Sequence, residues 1–223
     1  MRLKLYAHYL SSSTERVRIA LAMKNLEYEY ISVREMGWDA YENINPHRLV
    51  PALLVSDELI PQSNAILHYL EEQFPEPPLL PADPILRAQS RAFAQYIVCE
   101  MHAVDIVRIR KFLDEDLNVD SEGLEQWSNH WFTNGFSKLE QTLANRPELK
   151  SFPCCYGEKP GWAELHLVPH LRKGISRFNL DITQYPLLAN IYKYCVTQQD
   201  FIKAAPQSQP DYPGEIIDPS TEK

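Results

Sequence analysis

Hydrophobic and polar positions alternate at the start of the chain, from Leu3 through Leu5 to Ala7, and this period of two predicts a strand. The period then changes. After the polar run Ser11-Ser12-Ser13-Thr14, the apolar residues Val17, Ala20 and Leu21 fall at helical spacing, and the serines are a start signal for that helix. Residues 28–33 are rich in aromatic and β-branched side chains and predict a second strand. A short helix over 38–44 is closed by Asn45-Pro46. Residues 50–55 predict a strand with Pro51 at its start, where a missing N–H does no harm, and 58–60 predict a short partner strand. Ile66, Leu67 and Leu70 share one face of a helix that runs from Ser63 to near Phe74. This order, β-α-β-α-β-β-α, occupies roughly 75 residues, the size of a small domain.

The pattern shifts again beyond a proline-rich stretch at 75–78, which with Pro81 and Pro84 reads as a linker. From Leu86 onward the spacing is helical. Its clearest run carries Leu124, Trp127, Trp131, Phe132, Phe136, Leu139 and Leu143 at intervals of three and four. Segments 162–178 and 187–196 also predict helices, whereas the proline-rich tail after Ala205 predicts extended chain. The expected architecture is an α/β domain over 1–78, an all-α domain over 86–213 and a tail over 214–223.

Composition narrows the function classes. The 223 residues carry 30 acids against 22 bases, a formal charge of −8. That balance argues against nucleic acid or an anionic membrane as an obligate partner. No stretch has the apolar length of a membrane span, and the N-terminus enters a strand pattern without a signal-peptide core, so the expected location is the cytoplasm. Cys99, Cys154, Cys155 and Cys195 lack CxxC spacing and are expected to be free thiols in a reducing compartment. The seven histidines show no HExxH motif and no zinc spacing with the cysteines, so no metal is expected.

Three places carry candidate chemistry. Ser11, Ser12 and Ser13 stand at a strand-to-helix junction. Serines there usually do no more than cap the helix, but a hydroxyl, the first helical N–H groups and the positive dipole end can also stabilise an anion together. Arg16 and Arg18 add positive charge nearby. The Val50-Pro51 bond can be cis at modest cost, and a cis bond presents the preceding N–H and C=O to an extended peptide. Gln62-Ser63 precedes a helix whose start suits a ligand carboxylate.

Taken together and in this order, these residues resemble those of the zeta-class glutathione transferases, which include the maleylacetoacetate and maleylpyruvate isomerases. The resemblance rests on SSSTERVRIAL from Ser11 to Leu21, on Asn45-Pro46 followed by Val50-Pro51-Ala52-Leu53, and on Gln62-Ser63-Asn64-Ala65-Ile66. Leu167-Val168-Pro169, Arg177-Phe178 and Gln209-Pro210-Asp211 extend it along almost the whole chain. It implies a thioredoxin-like N-terminal domain, an all-helical C-terminal domain (the glutathione transferase fold), a homodimer, and glutathione as cosubstrate. It implies Ser11 as the catalytic serine, with Ser12 and Ser13 beside it. Val50 and Pro51, Gln62 and Ser63, and His102 would then bind glutathione, and Arg177 with Arg108 would bind a small-molecule substrate. Four features depart from the family pattern: Leu10 for arginine, Leu49 for glutamine, Asp105 for asparagine, and Gly161 with Glu164 for a Ser/Thr-x-x-Asp capping box.

Three functions are compatible with this reading. One is glutathione-dependent cis–trans isomerisation of a maleyl keto-acid in aromatic catabolism, favoured by Arg108 and Arg177. Another is general transferase or peroxidase action on hydrophobic electrophiles, to which Leu10 lends an apolar wall. The third is a non-catalytic binding protein, against which the intact serine motif argues. Turnover of maleyl keto-acids with and without glutathione discriminates among them.

Overall fold

The computed structural model describes residues 2–149 and 151–215. The chain divides into two units. The first runs to Leu79 and includes the described residues from Thr197 onward; the second spans Leu80–Val196.

The first unit is built on a four-stranded sheet of β1 (Leu3–Ala7), β2 (Glu29–Ser32), β3 (Ala52–Val55) and β4 (Glu58–Pro61), in the order β2-β1-β3-β4. β1 and β2 are parallel, whereas β3 is antiparallel to both β1 and β4. Helix α1 (Ser12–Met23) makes the parallel crossover. The expected helix over 38–44 is α3 (Trp38–Glu42), preceded by an unforeseen short α2 (Val33–Met36); Gly37 separates the two at φ 90°, a conformation glycine adopts without strain. Helix α4 (Ser63–Gln73) closes the sequence of elements. Both sheet faces are covered, as a sheet with a parallel crossover requires. Tyr6 and Ala52, paired across β1 and β3, pack with Val33 and Tyr41, while Leu5, Ile19, Leu53, Ile66 and Leu70 are also fully buried. The expected linker is tied down: buried Lys24 donates to the carbonyls of Phe74 (2.6 Å) and Pro77 (3.0 Å) and pairs with Glu71 at 2.8 Å.

The helical unit ends earlier than the bound of 213 expected for it. Beyond Thr197 the chain forms α10 (Gln199–Ala204) and a 3₁₀ turn over Pro206–Ser208, and it belongs to the first unit, not to the helical one. Buried hydrogen bonds explain this. Arg18 Nε donates to the Ala204 carbonyl at 2.9 Å. Asp211 accepts from the Tyr9 N–H (3.2 Å), the Tyr30 hydroxyl (2.7 Å) and the Ser32 hydroxyl (3.1 Å). The expected tail over 214–223 lies, from residue 216, outside the described residues.

The second unit is helical. α5 (Pro84–Tyr96) starts slightly earlier than expected because Asp83 caps it, accepting the Leu86 N–H at 2.8 Å. A π-helical turn over Ile97–His102 follows, then a 3₁₀ turn over Ala103–Asp105 and the short α6 (Val107–Lys111). α7 (Ser121–Ala144) crosses the π turn at Gly135, where any Cβ would meet the Met101 side chain at 2.5 Å. α8 (Trp162–Phe178) and α9 (Pro186–Cys195) complete the core with Phe93, Phe132, Phe136, Leu165, Leu171 and Leu188. At Gly161 the missing capping side chain is offset by Glu164. Its buried carboxyl accepts the N–H groups of Gly161 (2.8 Å) and Cys155 (2.7 Å). Burial raises its pKa, against the pull of those hydrogen bonds.

Asp211→Ala leaves three donors facing an apolar gap, and its expected cost is about 3–5 kcal/mol, as for other broken buried charge networks. Urea unfolding at unchanged m-value checks this. A midpoint matching the parent would remove Asp211 from the anchoring role.

Candidate functional site

Strand register brings the candidate residues of the first unit together. Tyr6 pairs with Ala52, and Ala52 with Pro61. Both pairings are antiparallel, so the chain leaves β1, enters β3 and leaves β4 at one end of the sheet. Three connections therefore meet there: the turn from His8 to Ser11, the approach to Pro51, and Gln62. The N-termini of α1 and α4 open from the same end.

Ser11 caps α1. Its Oγ accepts the Thr14 N–H at 3.2 Å, and its own N–H donates to the His8 carbonyl at 3.1 Å. Because that oxygen uses a lone pair for capping, its hydrogen is left for another acceptor. Ser11 and Ser13 are half-buried and Ser12 is buried as the first helical residue. The turn carrying Ser11 is held by Arg18, whose Nη1 and Nη2 donate to the carbonyls of His8 (3.3 Å) and Tyr9 (3.1 Å). Burial lowers the pKa of Arg18, while nearby Glu15, tyrosines and Asp211 oppose the shift.

The Val50-Pro51 bond, left open by the sequence, is cis. The loop before it is fixed at the Leu49 carbonyl, which accepts from the Tyr41 hydroxyl (2.9 Å) and from Asn45 Nδ2 (2.9 Å). The Asn45-Pro46 pair thus serves to shape the entry to Val50. Tyr41 has its pKa pushed up to about 12 by burial, so it remains a donor. Gln62 is exposed, with its backbone at φ 71°, a region that costs energy for a non-glycine residue. Ser63, the first residue of α4, is buried and accepts from Arg16 Nη1 at 3.4 Å.

The other candidates belong to the second unit. His102 ends the π turn, half-buried, with its ring 6.0 Å from that of His170. Arg177 lies in the last turn of α8, its guanidinium 5.6 Å from the centre of the Phe178 ring. Arg110 and Lys173 approach the same ring, at 5.5 and 5.9 Å. Sequence reasoning named Arg108, which is exposed on α6, and gave no role to Lys173. Asp105 explains the clustering. Its buried carboxylate pairs with Lys173 at 2.6 Å and Arg110 at 3.5 Å, and accepts the Ser128 hydroxyl at 2.7 Å. Burial lowers the Lys173 pKa to about 8; Asp105 opposes that shift, while Arg177 and Arg110 reinforce it. No local sequence signal joins Asp105 to Lys173, because the pair spans two helical segments far apart in the chain. Among the described residues no group of three or more His, Cys, Asp or Glu side chains could hold a metal ion, and no helix is long and apolar enough to cross a membrane.

Comparison with known proteins adds an independent line. The model of the glutathione S-transferase N-terminal domain matches residues 5–78. A maleylpyruvate isomerase of Ralstonia sp. is 37% identical over 213 residues, covering 94% of this chain and 99% of the relative. A solved holo structure of a bacterial maleylpyruvate isomerase of the zeta class superposes with a TM-score of 0.87 at 36% identity, over 93% of this chain and 99% of the other. A maleylacetoacetate isomerase of Methylobacterium extorquens AM1, solved with bound malonate and glutathione, gives a TM-score of 0.87 at 32% identity, covering 94% of this chain and 99% of its own.

The Lys173 environment yields a test by pH. A lysine held at about 8 when folded and about 10.4 when unfolded binds its proton more weakly in the folded state. Folding stability from this group therefore rises as pH increases between those values. Urea midpoints of the parent, relative to Lys173→Met, should shift upward from about pH 8 to 10. A flat difference would show that Lys173 titrates as an ordinary lysine.

Proposed function

Because the chain belongs to the glutathione S-transferase family, in its zeta class, we propose that it is a glutathione-dependent cis–trans isomerase of a maleyl keto-acid. What supports this most is the register that gathers the Ser11 turn, the Val50-Pro51 entry to β3 and the start of α4 at one sheet end. The two solved relatives above are, by name, isomerases of maleylpyruvate and maleylacetoacetate.

Those residues fit a tripeptide thiol. Ser11 has a hydroxyl hydrogen free of its capping bond, α1 presents its first N–H groups, and Ser63 opens a helix suited to a carboxylate. Val50 offers a backbone edge for pairing with the cysteinyl residue, and Gln62 with Ser63 holds the γ-glutamyl end. Bound glutathione supplies a thiol that adds reversibly to the substrate double bond, allowing rotation about the resulting single bond before its release.

The chain's part is electrostatic. A thiol of pKa about 8.5 is only a few per cent ionised at pH 7, and lowering it by about two units requires roughly 2.7 kcal/mol. One neutral hydroxyl hydrogen bond supplies about 1 kcal/mol. The rest falls to the α1 N-terminus and the buried arginines beside it. Substrate carboxylates need a basic site, since the net charge of −8 opposes a dianion. Arg177, with Arg108, fills that role, and Arg110 and Lys173 reinforce the positive field around Phe178. A homodimer in the cytoplasm completes the reading, by analogy with the family. Leu10, half-buried beside Ser11, favours the alternative of a general transferase on apolar electrophiles.

Isomerisation of maleylacetoacetate and maleylpyruvate, measured with and without glutathione, tests the proposal directly, and its absence with both leaves the transferase reading. Ser11→Ala is expected to raise the thiol pKa of bound glutathione and to lower turnover by about 10- to 1,000-fold. If both stay unchanged, the donor is Ser12 or the helix terminus. Arg177→Ala should lose about 10- to 150-fold with the keto-acid but little with a neutral halogenated nitrobenzene. Equal losses would assign Arg177 to structure.

A further inference from the structure

Arg16 sits in the second turn of α1 with 1% of its surface exposed. Its Nη1 reaches Ser63 Oγ at 3.4 Å, but its Nε and Nη2, both buried, meet no hydrogen-bond partner among the described residues. Burial lowers its pKa only to about 10, with adjacent Glu15 opposing the shift, so it is a cation at neutral pH. A buried charge with idle donors is costly unless another group pairs with it. Ser63 is also the first residue of α4, an 11-residue helix whose unsatisfied N–H groups and positive dipole end favour an anion. A helix start and a buried cation with vacant donors therefore coincide at one serine.

We propose that Arg16 is a positioning residue for a carboxylate held at the start of α4, where it polarises the Ser63 hydroxyl and supplies counter-charge to the α-carboxylate of a γ-glutamyl group. This rests on the glutathione reading and refines it, because Ser63 and the helix terminus then act with a buried charge behind them. A purely mechanical role, linking α1 to α4, predicts a different pattern of ligand selectivity.

The experiment titrates two ligands by calorimetry: S-methylglutathione, and its analogue with γ-aminobutyrate in place of γ-glutamate, which lacks the α-carboxylate. The parent should prefer the first by about 10- to 100-fold. Arg16→Gln should lose most of that preference while its affinity for the analogue changes by less than about threefold. Arg16→Lys, which keeps the charge but not the planar fork, should retain part of the preference. It also serves as the test variant should Arg16→Gln fail to fold. Equal weakening of both ligands, or an unchanged preference, overturns the role of Arg16. Failure of the parent to bind S-methylglutathione overturns the reading of the site, and the proposal with it.

Discussion

The first unit depends on where one buried guanidinium finds acceptors. Arg18 cannot be deprotonated at physiological pH and is shut away from water, so its donors must be met within the protein. It meets them at the carbonyls of His8, Tyr9 and Ala204. The first two shape the turn that delivers Ser11 to the start of α1. The third requires the chain beyond Thr197 to return to the sheet. Asp211 secures that return on the opposite charge, through the Tyr9 N–H and the hydroxyls of Tyr30 and Ser32. The conformation of the Ser11 turn and the course of the C-terminal segment are thus consequences of the same charged pair of anchors.

Register is the second constraint. Side chains alternate faces along a strand, so a slip of one residue between β1 and β3 would turn Tyr6 or Ala52 away from Val33 and Tyr41. The same slip would displace the entry to Val50 from the exit toward Ser11. Packing on one face of the sheet and convergence of loops at its end are fixed together. Tyr41 makes this concrete, since its ring packs in that layer while its hydroxyl holds the Leu49 carbonyl next to the cis bond.

Most of this was legible in the sequence wherever information is local. The period-two run at Leu3–Ala7, the serine start of α1 and the apolar face of α4 each report on neighbours a few residues away. The serine motif, Val50-Pro51 and Gln62-Ser63 were visible for the same reason. That the segment beyond Thr197 joins the first unit was not legible, because the forces that place it, from Arg18 and Asp211, act across almost the whole sequence. The pairing of Lys173 with Asp105 escaped notice similarly. Arg16 was noted as a nearby charge, but nothing local foretold that it would be buried with idle donors.

The return of the C-terminal segment makes the first unit discontinuous in sequence, with the helical unit inserted between its two parts. Synthesis on the ribosome therefore exposes Arg18 early and delivers the Ala204 carbonyl and Asp211 only after the whole helical unit has been made. Until then the turn bearing Ser11 lacks its acceptor and its counter-charge. The helical unit, contiguous from Leu80 to Val196, is made before the segment beyond Thr197, so maturation of the Ser11 turn is coupled to synthesis of that later segment. A nascent chain carries the serine motif and its local Arg18 bonds to His8 and Tyr9 long before it has the distal anchors.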